Sequence, residues 1–356
     1  MHQVVEFSGP REVRLVPEEP QPLKPGTIRV RTWYSGISAG TELTAYRGTN
    51  PYLTKTWDPI RRLFVEGAPT FGYPVTGWGY EEVGQVVEVA DDVTAYEAGQ
   101  LVAGIWGHRS EAVIDASAPI HRPLPAGVDP MYGIFARPGA IALNAVLAAD
   151  VRLGETVAVF GQGVIGLLAT QLAALSGGRV TAVDAIEGRL ELATKLGAVD
   201  AVSALLPAGS GDEIRRRTGG GTDSAIELSG SYRALHEAIR SVQPEGKVAA
   251  AGFYQGDGAG LRLGEEFHHN RVQIVASQIS GTPIPLGRRW DQPRLVRTFL
   301  DQVASGRLAV APLISHVVDA TDVADAFALL DERPAEALQV VLRFPASVSA
   351  SSEGTA

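Results

Sequence analysis

The chain has 356 residues, of which 45% are hydrophobic and 20% are charged, and its formal net charge at pH 7 is −9. This length is too great for one ordinary core and predicts about two domains. The acidic balance argues against a nucleic-acid backbone or an anionic membrane as a partner. The absence of cysteine excludes disulfides, thiolate zinc ligands and a cysteine nucleophile.

Neither a signal sequence nor a membrane span is expected. The N-terminus lacks a basic stretch followed by an apolar core, so we predict a cytoplasmic protein. The most apolar window, residues 156–178, is long enough to cross a bilayer, but Gln162, Gln171 and several glycines weaken that interpretation.

Short runs of alternating polarity dominate the first 125 residues. They cover residues 27–36, 83–93, 100–106 and 110–116, and Gly, Pro and Asp lie between them. This pattern predicts strands of a compact antiparallel or barrel-like domain.

Strands and helices alternate from about residue 130 onward. Residues 131–150 have helical spacing, and βαβ units on a parallel sheet are then expected over 156–280. Residues 286–345 end the pattern with two helices and two strands, at 293–306, 315–320, 322–332 and 337–344. The small, polar tail, 346–356, is predicted to be disordered.

A dinucleotide-binding signature lies in "TVAVFGQGVIG", residues 156–166. An apolar strand leads into Gly161-x-Gly163-x-x-Gly166, and a helix follows. Gly161 permits a tight turn, Gly163 lets a pyrophosphate approach the backbone, and Gly166 allows close packing of helix on strand. The partial positive charge of the helix N-terminus then faces the phosphates. We expect Gln162, Val164 and Ile165 to line the same site.

The next strand ends at Asp184, whose carboxylate can accept hydrogen bonds from both ribose hydroxyls. Its charge would repel a 2′-phosphate, which favours NAD over NADP. Arg189 is the alternative, because a guanidinium at that position could reach toward such a phosphate.

These segments together resemble the medium-chain dehydrogenase/reductase superfamily over nearly the whole chain. The resemblance implies an α/β protein with a GroES-like β-rich catalytic domain and a doubly wound Rossmann domain. It implies a first catalytic part at 1–138, a nucleotide-binding domain at 139–285 and a catalytic return at 286–345. It also implies that Gly252 and Phe253 contact the cofactor.

Three zinc-ligand positions of that family hold other residues here. Ser38 in "SGISAGTEL" stands at a cysteine position, Tyr80 in "GYE" stands at a histidine position, and Arg137 in "ARPGAIALNAV" stands at an acidic position. The cysteines of the family's structural zinc are absent as well. The resemblance therefore indicates a zinc-independent member, similar to the bacteriochlorophyllide dehydrogenase-like and sugar or cyclitol dehydrogenase subgroup.

The superfamily frame places Ser38, Thr41, Tyr80 and Arg137 around one cleft beside the nicotinamide. Tyr80 is a candidate acid/base, because a nearby Arg137 cation would lower its pKa. Arg137 could instead hold the substrate oxygen, and Thr41 could pass a proton toward the ribose. The alternatives are a packed tyrosine and a structural ion pair of Arg137 with Glu81 or Glu42. Glu42 and Glu81 are expected to be structural.

Other candidates come from a histidine and from an aromatic loop. His108 in "GIWGHRSEAV" could be a general base near neutral pH or a core histidine. The loop 46–64 alternates aromatic and basic residues, which suits a polyhydroxylated or phosphorylated substrate, and it could equally be a solvated surface. Tyr52, Trp57 and Trp290 are the candidate substrate contacts.

The leading functional prediction is an NAD-dependent dehydrogenase of a secondary alcohol, in a sugar or a cyclitol. One alternative is an NAD(P)H-dependent quinone or enone reductase, and another is a non-catalytic nucleotide-binding protein. The strand at 271–281 would form a sheet edge, and the family resemblance implies that this edge pairs in a homodimer or homotetramer.

Overall fold

The computed structural model describes residues 2–344, so the predicted disordered tail lies outside the described residues. The first part is built of short strands, as predicted. Its elements are β1 His2–Gly9, β2 Glu12–Glu18, β3 Thr27–Ile37, helix α1 Glu42–Arg47, β4 Thr56–Asp58, β5 Leu63–Val65, β6 Val75–Thr76, β7 Glu82–Val89, β8 Leu101–Gly104, β9 Glu111–Asp115 and β10 Arg122–Pro123.

Alternating strands and helices follow, and these confirm the predicted βαβ pattern. They are α2 Ala136–Ala149, β11 Thr156–Phe160, α3 Val164–Leu175, β12 Arg179–Asp184, α4 Glu187–Lys195, β13 Asp200–Ser203, α5 Ser210–Thr218, β14 Thr222–Glu227, α6 Tyr232–Ser241, β15 Val242–Ala250, α7 Glu266–His269 and β16 Gln273–Ala276. The last described elements are α8 Gln292–Ala304, β17 Ile314–Asp319, α9 Val323–Glu332 and β18 Gln339–Arg343.

The βαβ units form one parallel, doubly wound sheet in the order β13-β12-β11-β14-β15-β16. Strand β11 lies in its interior, and four of its five residues are buried. That burial explains its uninterrupted apolar sequence, because helices cover both faces of such a sheet. The crevice where the strand order reverses therefore lies beside β11, where ligands bind in this architecture.

The second large sheet joins the two ends of the chain. Strand β3 pairs antiparallel with β7 along one side, and along the other side with β9 at its first residues and with β18 at its last residues. The C-terminal strand thus completes the sheet of the N-terminal part, as the predicted return requires. The boundaries at 138/139 and 285/286 stay a prediction.

The predicted aromatic loop contains structure of its own. Strands β4 and β5 form a short hairpin in which Trp57 pairs with Phe64. Three-residue strands are too short to show an alternating pattern in sequence. The hairpin stacks on Tyr52, whose ring centroid lies 5.4 Å from that of Phe64.

One helical stretch, Pro130–Ala149, has the length and apolar composition of a membrane span. Within the described structure, 72% of its apolar window is buried, which is typical of a core helix. Gly139 on this stretch lies against Phe299 of α8, and a Cβ at Gly139 would come within 2.2 Å of that ring. This close approach packs the first turn of α2 against the middle of α8.

Candidate active site

The glycine turn has the geometry that its sequence predicts. Gly161 has a φ of 85°, a left-handed conformation that favours glycine. A Cβ at Gly166 would lie 1.7 Å from the Gly161 carbonyl oxygen, so helix and turn can pack only because that position has no side chain. A Cβ at Gly163 would meet nothing within 4 Å and would project into open space.

A cavity of about 290 Å³ opens beside this turn. It brings together parts of the chain that are far apart in sequence, and its lining includes these predicted site residues: Ser38, Gly161, Gly163, Val164, Ile165, Gly166, Asp184 and Arg189. It is also lined by Glu81, Leu228 and Ser229, which the sequence analysis did not assign to the cofactor or to catalysis. The bare glycines and an acceptor at the end of β12 fit the pyrophosphate and ribose of a dinucleotide.

Asp184 ends β12 at the cavity wall. Its carboxylate accepts hydrogen bonds from the backbone N–H groups of Gln162, at 2.6 Å, and Ile186, at 2.9 Å. These bonds orient the carboxylate and leave lone pairs for further donors. Arg189 donates to the carbonyl oxygens of Pro334, at 2.7 Å, and Ala337, at 3.1 Å, so swinging toward a phosphate would break both bonds.

Three predicted cofactor contacts are absent from this cavity's lining. The Gln162 side chain is fully buried and bonds to Val159 and Thr170, so it is not available to a ligand. Gly252 packs against Gly230, where a Cβ would lie 2.4 Å from the backbone nitrogen. Phe253 is 41% exposed. Sequence position near a strand end does not reveal such side-chain directions.

The positions of the family's zinc ligands hold a cluster of hydroxyl groups. The Tyr80 hydroxyl forms a short hydrogen bond with the Ser38 hydroxyl and lies 3.5 Å from Thr41 Oγ1. Neutral hydroxyls are poor ligands for zinc, which takes thiolate, imidazole and carboxylate. Arg137 interacts electrostatically with Tyr80, and a cation there opposes a metal ion. The residues present do not fit a catalytic zinc.

The predicted lowering of the Tyr80 pKa is wrong. Burial and the neighbouring Glu81 raise the pKa of this phenol above its usual range, although hydrogen bonds from Ser38 and Thr41 oppose the shift. Arg137 does not reverse the effect, because desolvation disfavours phenolate more strongly. Tyr80 is therefore a neutral phenol near pH 7, which donates a hydrogen bond but is a weak base.

Arg137 makes neither of the ion pairs considered for it. Within residues 2–344 no carboxylate lies within 4.0 Å of its guanidinium, and its hydrogen bond runs from Nη1 to Gln292 Oε1, at 3.0 Å. Burial lowers the pKa of Arg137, and attraction to Tyr80 partly offsets that shift.

Glu81 was expected to be structural, and its surroundings are unusual for a structural carboxyl group. It is only 2% exposed, and Oε2 has no hydrogen-bond partner in the part of the chain that the structure describes. Burial, together with the charges of Glu42 and Glu82, raises its pKa well above the usual range. The group lies against Gly36, where a Cβ would come within 2.4 Å of Oε2. Glu81 thus lines the cavity as a carboxyl group that can hold a proton near neutral pH.

His108 is a core residue, and a role as a general base in the cleft is contradicted by its burial. Its side chain is fully buried, with Nε2 2.6 Å from Glu42 Oε2 and Nδ1 2.6 Å from Ser35 Oγ. Burial lowers its pKa and the Glu42 charge raises it, and the net shift is upward. The other Glu42 oxygen accepts the backbone N–H of Ser38, at 3.0 Å. This ion pair holds the loop that carries Ser38.

The predicted substrate aromatics lie outside the cavity lining. Tyr52 and Trp57 pack with Phe64 on the β4–β5 hairpin. Trp290 is covered by the Arg294 guanidinium, 4.3 Å from its ring centroid. A substrate role for these three residues stays a prediction.

One group of side chains has the composition of a metal site, although no ligand spacing in the sequence indicates it. His236, Glu265 and Glu266 bring ligand atoms within 4.8 Å of one another. Arg262 lies 2.7 Å from His236 Nε2 and also pairs with Glu265, while Arg240 pairs with Glu266. Two guanidinium groups already neutralise this cluster, so it does not fit a cation.

The chain is similar in sequence to known dehydrogenases. The family described as zinc-binding dehydrogenase matches residues 164–290. D-guloside 3-dehydrogenase of Escherichia coli (strain K12) is 30% identical over 348 residues, which is 95% of this chain and 98% of that protein.

Solved structures share the fold. The 2R,3R-butanediol dehydrogenase of Bacillus subtilis has a TM-score of 0.79 and 23% identity, covering 97% of this chain and 100% of the other. A putative zinc-binding dehydrogenase of Sinorhizobium meliloti 1021, bound to NADP, has a TM-score of 0.77 and 22% identity, covering 96% of this chain and 99% of the other. These matches confirm the predicted GroES-like and Rossmann architecture.

Proposed function

Because the chain belongs to the medium-chain zinc-binding-type dehydrogenase family, we propose that it is an NAD-dependent, zinc-independent dehydrogenase of a secondary alcohol in a sugar or cyclitol. As a member of that family it is an oxidoreductase acting on CH–OH groups. One observation carries the finer proposal: the cavity at the glycine turn is lined by both Ser38, which bonds to Tyr80, and the Glu81 carboxyl.

The chain's own residues supply the binding part of the mechanism. The glycine turn and the N-terminus of α3 bind the pyrophosphate, and Asp184 accepts the ribose hydroxyls. A nicotinamide cofactor held there would supply the hydride acceptor for oxidation of the alcohol carbon. Leu228 and Ser229 also line the cavity, and Ser229 packs directly against the turn, since a Cβ at Gly161 would meet its backbone nitrogen at 2.8 Å.

The proton is handled by the hydroxyl cluster and Glu81. Tyr80, as a neutral phenol, donates a hydrogen bond to the substrate oxygen, and Ser38 and Thr41 orient that phenol. Glu81 takes up the alcohol proton during oxidation and returns it during reduction, because a carboxylate with a raised pKa is a stronger base than an ordinary glutamate. This arrangement replaces the role that a metal has in zinc-dependent relatives.

Activity and metal content test this proposal together. We expect NAD-dependent oxidation of members of a polyol and cyclitol panel, and no comparable reduction of enones or quinones with NAD(P)H. Elemental analysis of protein purified without a histidine tag should give well under one zinc per chain. A stoichiometric zinc that resists a chelator would contradict zinc independence, and enone reduction alone would favour the reductase. Known relatives do not favour that alternative or a non-catalytic protein.

Cofactor choice depends on Asp184. We expect wild-type protein to bind NADH more tightly than NADPH, although one structural neighbour binds NADP. Asp184→Ala should weaken NADH binding, since each lost charge-assisted hydrogen bond contributes about 1.5–3 kcal/mol at most. Fluorescence titration with both nucleotides measures the two affinities, and Asp184→Asn, which keeps one acceptor oxygen, is the matched variant. Tighter binding of NADPH by wild-type protein would contradict this assignment.

We also propose a cytoplasmic homodimer or homotetramer that associates along β16. This strand ends the parallel sheet, so its outer backbone groups are available to a second strand. A cavity of about 440 Å³ lies along it, and Ile284 at that cavity is 93% exposed. A monomer by light scattering at micromolar concentration would contradict the assembly, and cell fractionation tests the location.

A further inference from the structure

Arg137 is a charged group whose counterion the described structure does not contain. Its guanidinium is partly buried, and it has no ion-pair partner within residues 2–344. The first turn of α2, where it lies, has no acidic residue. Guanidinium groups removed from water are normally paired with an anion.

The surrounding groups do not compensate this charge. Gln292 supplies a neutral amide oxygen, and Tyr80 is a neutral phenol near pH 7. The buried carboxyl beside Tyr80, Glu81, has a raised pKa that disfavours its anionic form. Arg137 is not among the residues that line the cavity, but it interacts with Tyr80, whose hydroxyl bonds to the cavity residue Ser38. An unneutralised cation this close to the proton-handling groups is complementary to an anionic substrate.

The packing of two helices fixes the position of this cation. Arg137 lies near the start of α2 and Gln292 begins α8, and the contact between Gly139 and Phe299, in the middle of α8, packs these two helices together. The Gln292 oxygen holds Nη1, which leaves the remaining N–H donors for another partner. A planar guanidinium group with free N–H donors matches the two oxygens of a carboxylate.

We infer that the substrate is a polyhydroxylated acid whose carboxylate is bound by Arg137, close to the hydroxyl that is oxidised. This inference rests on the proposed function and narrows its substrate class. A single guanidinium matches one negative charge, so a carboxylate is favoured over a phosphate dianion.

Matched pairs of substrates test the inference. Initial rates with NAD are compared for aldonates and the corresponding alditols, such as D-gluconate and D-glucitol, and for methyl glucuronides and methyl glucosides. D-Glucitol 6-phosphate is the phosphate arm. We expect kcat/KM for the acid to exceed that for its neutral partner at least tenfold. An equal or greater kcat/KM for the neutral members overturns the inference and leaves the proposed dehydrogenase intact, and a preference for the phosphate overturns the choice of carboxylate.

Variants of Arg137 distinguish the effect of its positive charge from the effect of its planar guanidinium group. Arg137→Gln should reduce the acid preference to about one, and Arg137→Lys should restore part of it, because lysine keeps the charge but not the planar group. Arg216→Gln, on the exposed surface of α5, is the matched control and should keep the wild-type preference. Unchanged acid preference in Arg137→Gln, with an unchanged melting temperature, overturns the assignment.

If no substrate of the matched pairs is oxidised, a binding measurement tests the inference instead. Calorimetry of D-gluconate and of D-glucitol with the protein–NADH complex then replaces the rates. Gluconate binding that is lost in Arg137→Gln supports the anion site even if the proposed reaction fails. No binding of gluconate, or equal binding of glucitol, overturns the inference.

Discussion

Replacing Glu81 by glutamine lowers kcat for alcohol oxidation by about 10²–10⁴-fold, the usual contribution of a positioned acid or base. The substitution preserves size and removes only the group that takes up the proton. It should leave NADH affinity within a few-fold and should not lower the melting temperature, because glutamine avoids the cost of a buried charge. Steady-state kinetics with the best substrate of the panel measures the loss.

The pH profile distinguishes a proton acceptor from a packing residue. Wild-type kcat/KM for oxidation should fall on the acid side, as Glu81 becomes protonated in the free enzyme. That limb should disappear in Glu81→Gln. Glu88→Gln, on strand β7 that follows Glu81, is the control, because this carboxylate is exposed and pairs with Arg29. Full activity in Glu81→Gln would mean that Glu81 is a structural residue and not the proton acceptor.

The same profile tests Tyr80. As a neutral donor, Tyr80 should contribute about 10²–10³-fold to kcat, as oxyanion-type donors do. Tyr80→Phe should keep the acid limb, because the ionising group is still present. If the limb vanished in Tyr80→Phe and persisted in Glu81→Gln, the phenol would be the acid/base after all.

Two glycine variants should separate cofactor binding from folding. Gly163→Ala places a methyl group in open space, so the protein without cofactor should keep its stability within about 1 kcal/mol. The same methyl would meet the pyrophosphate. Overpacking by a methyl typically costs about 1–3 kcal/mol, which weakens NADH binding about 5- to 150-fold.

Gly166→Ala is the contrasting variant. Its methyl would lie 1.7 Å from a backbone oxygen, so the turn or the helix must move even without cofactor. We expect a loss of about 3 kcal/mol or more in the free energy of unfolding and a melting temperature lowered by several degrees. Denaturant titration and calorimetry measure both variants. NADH affinity unchanged in Gly163→Ala would mean that the pyrophosphate does not lie over this turn.

Local patterns in the sequence were sufficient for the elements and the cofactor turn. An apolar run at 156–160, three glycines and a second strand ending at Asp184 predict a strand, a turn and a helix, because each depends on neighbouring residues and on backbone conformation. The same holds for the return at 286–345, where helical and strand periodicities alternate clearly. The β4–β5 hairpin escaped prediction because its strands have only three residues each.

The chemistry of individual side chains required the tertiary structure. The sequence placed hydroxyls and a cation at the family's zinc positions, which was enough to propose a metal-free site. It could not show that the Tyr80 pKa is raised, that His108 is buried against Glu42, or that Glu81 lines the cavity. Protonation depends on desolvation and on charges brought together from distant segments. Desolvation and these charge interactions arise only after the chain has folded, whereas turns and strands are already specified by adjacent residues.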